Sequence, residues 1–261
     1  MRRHQHLLTI TLLTIAGCAD QSRISGSPAD DRVSDILASP GVASAGASAE
    51  KQYRVTVENM TTGQVFSPGV IATHTKSGSV WEVGSQASEG IRKIAEDGDE
   101  ATAVSELSVA PGVFEVISTL APINRIGGPA GLPSSRTFTI GASANANRLS
   151  IAVMIICTND GFTGISGVKL PGGFKPETHL VGAWDSGTEQ NNELFSQIVD
   201  PCQMAGPVAA PPDGNGRVET IGGVIAIHPN ITGLNITGVG LSVALHGWQF
   251  PVARITVQRL R

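Results

Sequence analysis

The apolar run Leu149-Ser150-Ile151-Ala152-Val153-Met154-Ile155-Ile156 constrains this chain more than any other stretch. It is far too short to cross a bilayer as a helix, which needs about 20 residues, and it is rich in β-branched side chains. The run reads as the central strand of a sheet, because residues destined for both faces are apolar. A second stretch, Gln52-Tyr53-Arg54-Val55-Thr56-Val57-Glu58, alternates instead, placing Tyr53, Val55 and Val57 on one face of a half-buried strand. Further strand candidates lie at 70–73, 113–117, 136–140, 168–170, 179–184 and 252–258. Many short strands separated by turn signals predict a mainly β fold, an antiparallel β-sandwich.

One helical insertion interrupts the strands. From Ser85 onward, Ala87, Ile91, Ile94 and Ala95 recur at helical spacing, Ser88 and Glu89 mark a start, and Gly98 marks a stop. A second short helix is expected from Asp99. The cluster Asp97-Gly98-Asp99-Glu100 has the composition of a calcium loop, and equally of a turn in which Asp99 caps the next helix.

The first fifth of the chain has a different character. Arg2 and Arg3 precede an apolar run from Leu7 to Ile15, followed by Ala16-Gly17-Cys18, which is the pattern of a secretory signal ending in a lipoprotein cleavage site. On this reading residues 1–17 are removed and Cys18 carries acyl chains that hold the protein to a membrane. Residues 18–49, rich in Ala, Ser, Gly and Pro, have too little apolar content to fold alone and are expected to be a tether. Residues 50–261 are enough for one domain with an ample core. With Cys18 acylated, Cys157 and Cys202 remain as a pair, and in an oxidising compartment they are expected to form a disulfide. The formal net charge of −4 includes the leader's two arginines, so the exported chain is more acidic still, with no basic surface for nucleic acid.

Chemistry concentrates in two segments that follow strands: Cys157-Thr158-Asn159-Asp160-Gly161-Phe162 and the acidic loop Trp184-Asp185-Ser186-Gly187-Thr188-Glu189. Asp185 and Glu189 flank Gly187, where the chain can turn sharply enough for both carboxylates to converge. Ca²⁺ takes about 6–8 oxygen ligands, so Asp160, Asp185 and Glu189 would supply the charge, with backbone oxygens and Asn159 completing the shell. The same spacing also serves a solvated turn with a self-capping Asp. Trp184 and Trp248 offer aromatic faces for a sugar or protein partner, or pack at the rim of the core.

A series of motifs in one order, Tyr53-Arg54-Val55-Thr56-Val57-Glu58-Asn59, Phe66-Ser67-Pro68, Ala72-Thr73-His74, Ala87-Ser88-Glu89-Gly90-Ile91, Asn159-Asp160-Gly161-Phe162, Asp185-Ser186-Gly187-Thr188-Glu189 and Pro251-Val252-Ala253-Arg254-Ile255, resembles the spondin N-terminal domain family, known from F-spondin and mindin. The resemblance implies a β-sandwich similar to the calcium-and-lipid-binding domain of protein kinase C, with Ca²⁺ at one end. By motif position, the three aspartates that hold the ion in the animal proteins fall on Asp160, Asp185 and Glu189. The third is a departure, since the extra methylene of Glu189 moves the carboxylate. Matrix adhesion and integrin recognition by the animal proteins do not transfer with the fold.

Enzyme signatures are missing from the sequence: there is no His-Glu-x-x-His zinc motif, no Gly-x-Ser-x-Gly elbow and no phosphate-binding glycine loop. His74, His179, His228 and His246 read singly as structural groups. The expectation is a non-enzymatic, calcium-binding domain of the bacterial cell envelope or a secreted one, for adhesion or binding of a protein or glycan, and attached to a membrane through its lipid alone. The alternative is a calcium-dependent hydrolase or ligand-processing protein using the same acidic end.

Overall fold

The computed structural model describes residues 51–208, 215–234 and 239–261. The expected leader 1–17, Cys18 and the tether 18–49 lie outside the described residues. Two antiparallel sheets carry the fold. The first has four strands in the order β4 (Ser135–Ala142), β1 (Lys51–Asn59), β11 (Ala253–Arg259) and β8 (Glu177–Val181). The second runs β10 (Ala226–Ile227), β9 (Ala183–Asp185), β6 (Gly161–Thr163), β5 (Arg148–Ile155), β2 (Phe66–His74) and β3 (Val113–Ser118), with β7 (Val168–Lys169) paired to the start of β5.

The apolar run is β5, and its neighbours explain why it is apolar throughout. Leu149, Ile151, Val153 and Ile155 face the first sheet, where they meet Tyr53, Val55, Val57 and Ile255 in one core cluster. Ala152, Met154 and Ile156 belong to a second cluster on the opposite face, beneath α1 (Glu89–Asp97), α2 (Ala101–Val109) and the segments after Phe195. Strand β2 divides in the same way, with Ile71 in one cluster and Val70 and Ala72 in the other. The second sheet is therefore covered on both faces, which an alternating strand could not tolerate. In β1 alternation persists because its outer face meets water.

The helical insertion follows its sequence signals. Ser88 accepts the Ile91 amide as N-cap, and Gly98, at φ +66°, closes the helix in the left-handed region that a side chain disfavours. The second helix starts at Ala101, two residues later than expected, and Asp99 accepts the Ala101 amide just ahead of it. The Asp97–Glu100 stretch thus serves the junction between two helices.

The strand expected at 179–184 is two strands. Val181 pairs with Ala253 in the first sheet, whereas Ala183 pairs with Thr163 in the second, so the chain changes sheet at Gly182. The Pro- and Gly-rich stretch after Asp200 begins with the short helix α3 (Pro201–Ala205), and a last short helix, α4 (Val243–His246), precedes β11. Cys157, just past β5, and Cys202 in α3 form the expected disulfide with Cα atoms 5.0 Å apart.

Candidate metal centre

Strands β6 and β9 bring the two chemistry-bearing segments together, since Gly161 pairs with Asp185. Asp160 lies at the head of β6 and the acidic loop follows β9 directly. One oxygen of the fully buried Asp160, Oδ2, accepts from the Thr188 amide (2.8 Å), the Glu189 amide (3.0 Å) and the Ser186 hydroxyl (2.9 Å). A carboxylate cradled by backbone N–H groups in this way fixes the path of the loop. Gly187 is required at its apex: φ is +73°, and a Cβ there would lie 2.6 Å from the backbone of Val224.

The other oxygens define what the site lacks. Asp160 Oδ1 and both Glu189 oxygens are buried without a hydrogen-bond partner among the described residues. Glu189 is 3% exposed and its pKa is pushed up to about 8, by burial first and then by the charges of Glu96 and Asp160, with Arg217 opposing. Burial raises Asp160 as well, the charge of Asp185 adds to this, and the loop's hydrogen bonds oppose it. Buried acceptors of this kind are costly unless a cation or proton satisfies them.

Asp185 is placed differently from its two companions. Its Oδ1 accepts the Gly187 amide at 2.7 Å and its Oδ2 accepts from the Asn191 side chain, so the carboxylate turns along its own loop. Among the described residues, the triad of Cys, His, Asp or Glu with ligand atoms within 4.8 Å of one another is Cys157, Cys202 and His246, two of which are a disulfide. Asp160, Asp185 and Glu189 are not drawn that close. Asn159, expected in the ion's shell, is used elsewhere: its amide donates to Asn192 and Gln197, and its Oδ1 accepts the Glu193 amide.

Two partners of the site were not evident in the sequence. Glu96, buried in the last turn of α1, accepts from Arg92 at 2.7 Å and forms an ion pair with Arg217 at 3.1 Å. Arg217 also pairs with Asp97, and its Nε lies 3.4 Å from Glu189 Oε1. One signal pointed to Glu96. Two acids in the last turn of a helix oppose its dipole, with no basic residue in that turn, and so call for a cation from elsewhere. Glu193 is a third buried acid, and it is satisfied: its oxygens accept the amides of Thr232, Gly233 and Leu234 and the Thr232 hydroxyl.

The histidines do not meet in one site. His74 bonds to Ser150 and the Thr75 carbonyl, and His246 packs against Phe195. His228 lies beside the acidic end, where its ring would be 2.9 Å from a Cβ on Gly161. Its Nδ1 accepts the Asn230 amide, which leaves the proton on Nε2, and burial pushes its pKa down to about 4. Trp184 packs on Trp81 at 5.4 Å and Trp248 on His228 at 5.2 Å, so both belong to the rim of the core. Together with Leu180, Ile227 and the exposed Phe250 they line a cleft of about 460 Å³ between the edges of the two sheets.

These features define a class: a disulfide-stapled β-sandwich whose loops close over an acidic end. Within that class the chain belongs to the spondin N-terminal domain family, whose model, Spondin_N, matches residues 31–200. Domains of this family are extracellular or secreted. The match covers Asp160, Asp185 and Glu189 and ends before Arg217 and β11. A comparison with curated proteins finds no match. Among the described residues no helix is long and apolar enough to cross a membrane.

Proposed function

We propose that this protein is a non-enzymatic, calcium-binding surface domain of the bacterial cell envelope that binds an extracellular or envelope protein or a glycan. The observation that carries the reading is the set of three buried oxygens without a hydrogen bond among the described residues, Asp160 Oδ1 and the two of Glu189, at the end of the sandwich. Hard oxygen donors with no competing hydrogen bond suit Ca²⁺, whose charge would displace the proton that burial favours on Glu189. Asp160 and Glu189 would hold the ion and Asp185 would add negative charge beside Asp160. Bound Ca²⁺ supplies charge neutralisation and a multidentate tie between loops. The protein's own part is separate from the ion: Asp160 Oδ2 gathers the 186–189 amides, and Gly187 permits the turn that brings Glu189 back over Asp160.

The binding role draws support from the cleft beside this end, where Phe250 and Ile227 are largely exposed and two tryptophans form the wall. A hydrolase at the same end would need a general base near the ion. His228 stands nearest, and with Nδ1 accepting the Asn230 amide its remaining nitrogen carries the proton, so neither nitrogen is free to act as a base. That favours binding over catalysis. The test is a pull-down with the exported chain against envelope proteins and glycans, with and without chelator. A partner retained in calcium and lost in chelator is expected; equal retention in both separates binding from the ion.

Attachment to a membrane is proposed to run through an acylated Cys18. Changing Cys18→Ser is expected to move the protein out of the membrane fraction. Unchanged fractionation would defeat the anchor.

A further inference from the structure

Arg217 comes from a segment that is itself held against the acidic loop. The Gln190 amide donates to the Val218 carbonyl, the Thr220 amide donates to the Thr188 carbonyl, and Glu189 bridges Glu219. This pairing carries the guanidinium to three acids of two elements: Glu96 and Asp97 at the end of α1, and Glu189 in the loop. The three acids do not depend on it equally. Glu96 keeps Arg92 at 2.7 Å and Asp97 keeps Lys93 at 3.1 Å if Arg217 is removed. Glu189, buried and with both oxygens outside any hydrogen bond, pairs with no other cation among the described residues.

We infer that Arg217 is the resident counterion of the acidic end, and that its guanidinium and a divalent cation compete for Glu189. The first half rests on the ion pairs alone; the second rests on the calcium reading above. A Ca²⁺ bound to Glu189 would put two positive charges beside a guanidinium that now lies 3.4 Å from Oε1, and at that range in a buried setting like charges repel strongly. Binding therefore requires Arg217 to withdraw from Glu189 toward Glu96 and Asp97, which can hold it without the third acid. Arg217 thereby sets the affinity of the site and couples the ion to the 215–220 segment. The planar fork of arginine suits this role because it can keep two acids while releasing one.

The experiment compares the full exported chain as wild type, Arg217→Gln, Arg217→Lys and the double variant Arg217→Gln/Glu189→Gln, by calorimetric titration with CaCl₂ and by melting in chelator. Calcium should bind Arg217→Gln about tenfold or more tightly than wild type, a difference of roughly 1.4 kcal/mol. Arg217→Lys, which keeps a charge and loses the fork, should fall between them. In chelator Arg217→Gln should melt below wild type, and adding Glu189→Gln should restore part of the loss, because the buried carboxyl left without a cation is then gone. Equal or weaker calcium binding by Arg217→Gln overturns the competition while leaving the calcium reading intact. If no form binds calcium, that reading fails, and the competition with it. The melts then judge the counterion alone: a Glu189→Gln change that restores nothing overturns it. Should Arg217→Gln fold in neither medium, Arg217→Lys decides, with tighter binding than wild type in support and equal binding against.

Discussion

At the scale of single residues, buried polar atoms divide into those the protein satisfies and those it leaves open. Asp160 shows both in one side chain, since Oδ2 gathers four loop donors while Oδ1 has none. His246 is a neutral example: its Nδ1 accepts the Ser242 amide and burial lowers its pKa from the ordinary 6.5. Below pH 6.5 the unfolded chain takes up a proton that the folded ring refuses, so this group costs stability as pH falls through that value toward its lower folded pKa. His246→Asn keeps an acceptor near the Nδ1 position and does not titrate. The stability advantage of wild type over this variant should therefore shrink between pH 7 and pH 5, as read from urea melts. A constant gap would show that the ring takes up its proton as readily in the fold as in the unfolded chain. Asp160 and Glu189 were legible in the sequence because each follows a strand and flanks a glycine turn. Arg217 was not, since its partners Glu96 and Asp97 lie about 120 residues away and its own segment reads as a Pro- and Gly-rich loop.

Among the elements, β5 was read correctly because an apolar run needs cover on both faces and the chain supplies it, from the first sheet and from α1 and α2. Two of the shortest strands gave no such signal. β6 has three residues and β10 two, too few to display a period, and both are fixed by pairing with β9. The change of sheet at Gly182 was hidden for a related reason: β8 and β9 are separated by one residue, so their sequence reads as one strand. At the end of β5 the Cys157–Cys202 disulfide joins the sheet to α3 across 45 residues. Closing a loop of that length removes unfolded-state freedom worth roughly 3–4 kcal/mol. Reduction, or Cys202→Ala, should lower the melting temperature by several degrees, and the intact mass without reductant should be about two units below that of the dithiol. An unchanged melting temperature after complete reduction would mean that the bond adds nothing to the fold.

For the molecule as a whole, the sandwich brings together acids from the helical insertion, from the head of β6 and from the loop after β9, and sets one arginine of a later segment between those of the helix and that of the loop. Separate elements meeting in one charged cluster are held apart by repulsion unless a cation joins them, so the ion and the closure of this end are expected to be coupled. The direct test is calorimetric titration of wild type and Glu189→Gln with CaCl₂, paired with melting in calcium and in chelator. Glu189→Gln is the informative change, because neither Glu189 oxygen makes a hydrogen bond that the amide would break. The account predicts saturable calcium binding to wild type and a rise in melting temperature equivalent to about 2.7 kcal/mol at a hundred times Kd. It predicts loss of most of that response in Glu189→Gln, whose stability in chelator is at or above that of wild type. Calcium binding undiminished by Glu189→Gln, or none to wild type at millimolar concentration, would contradict it.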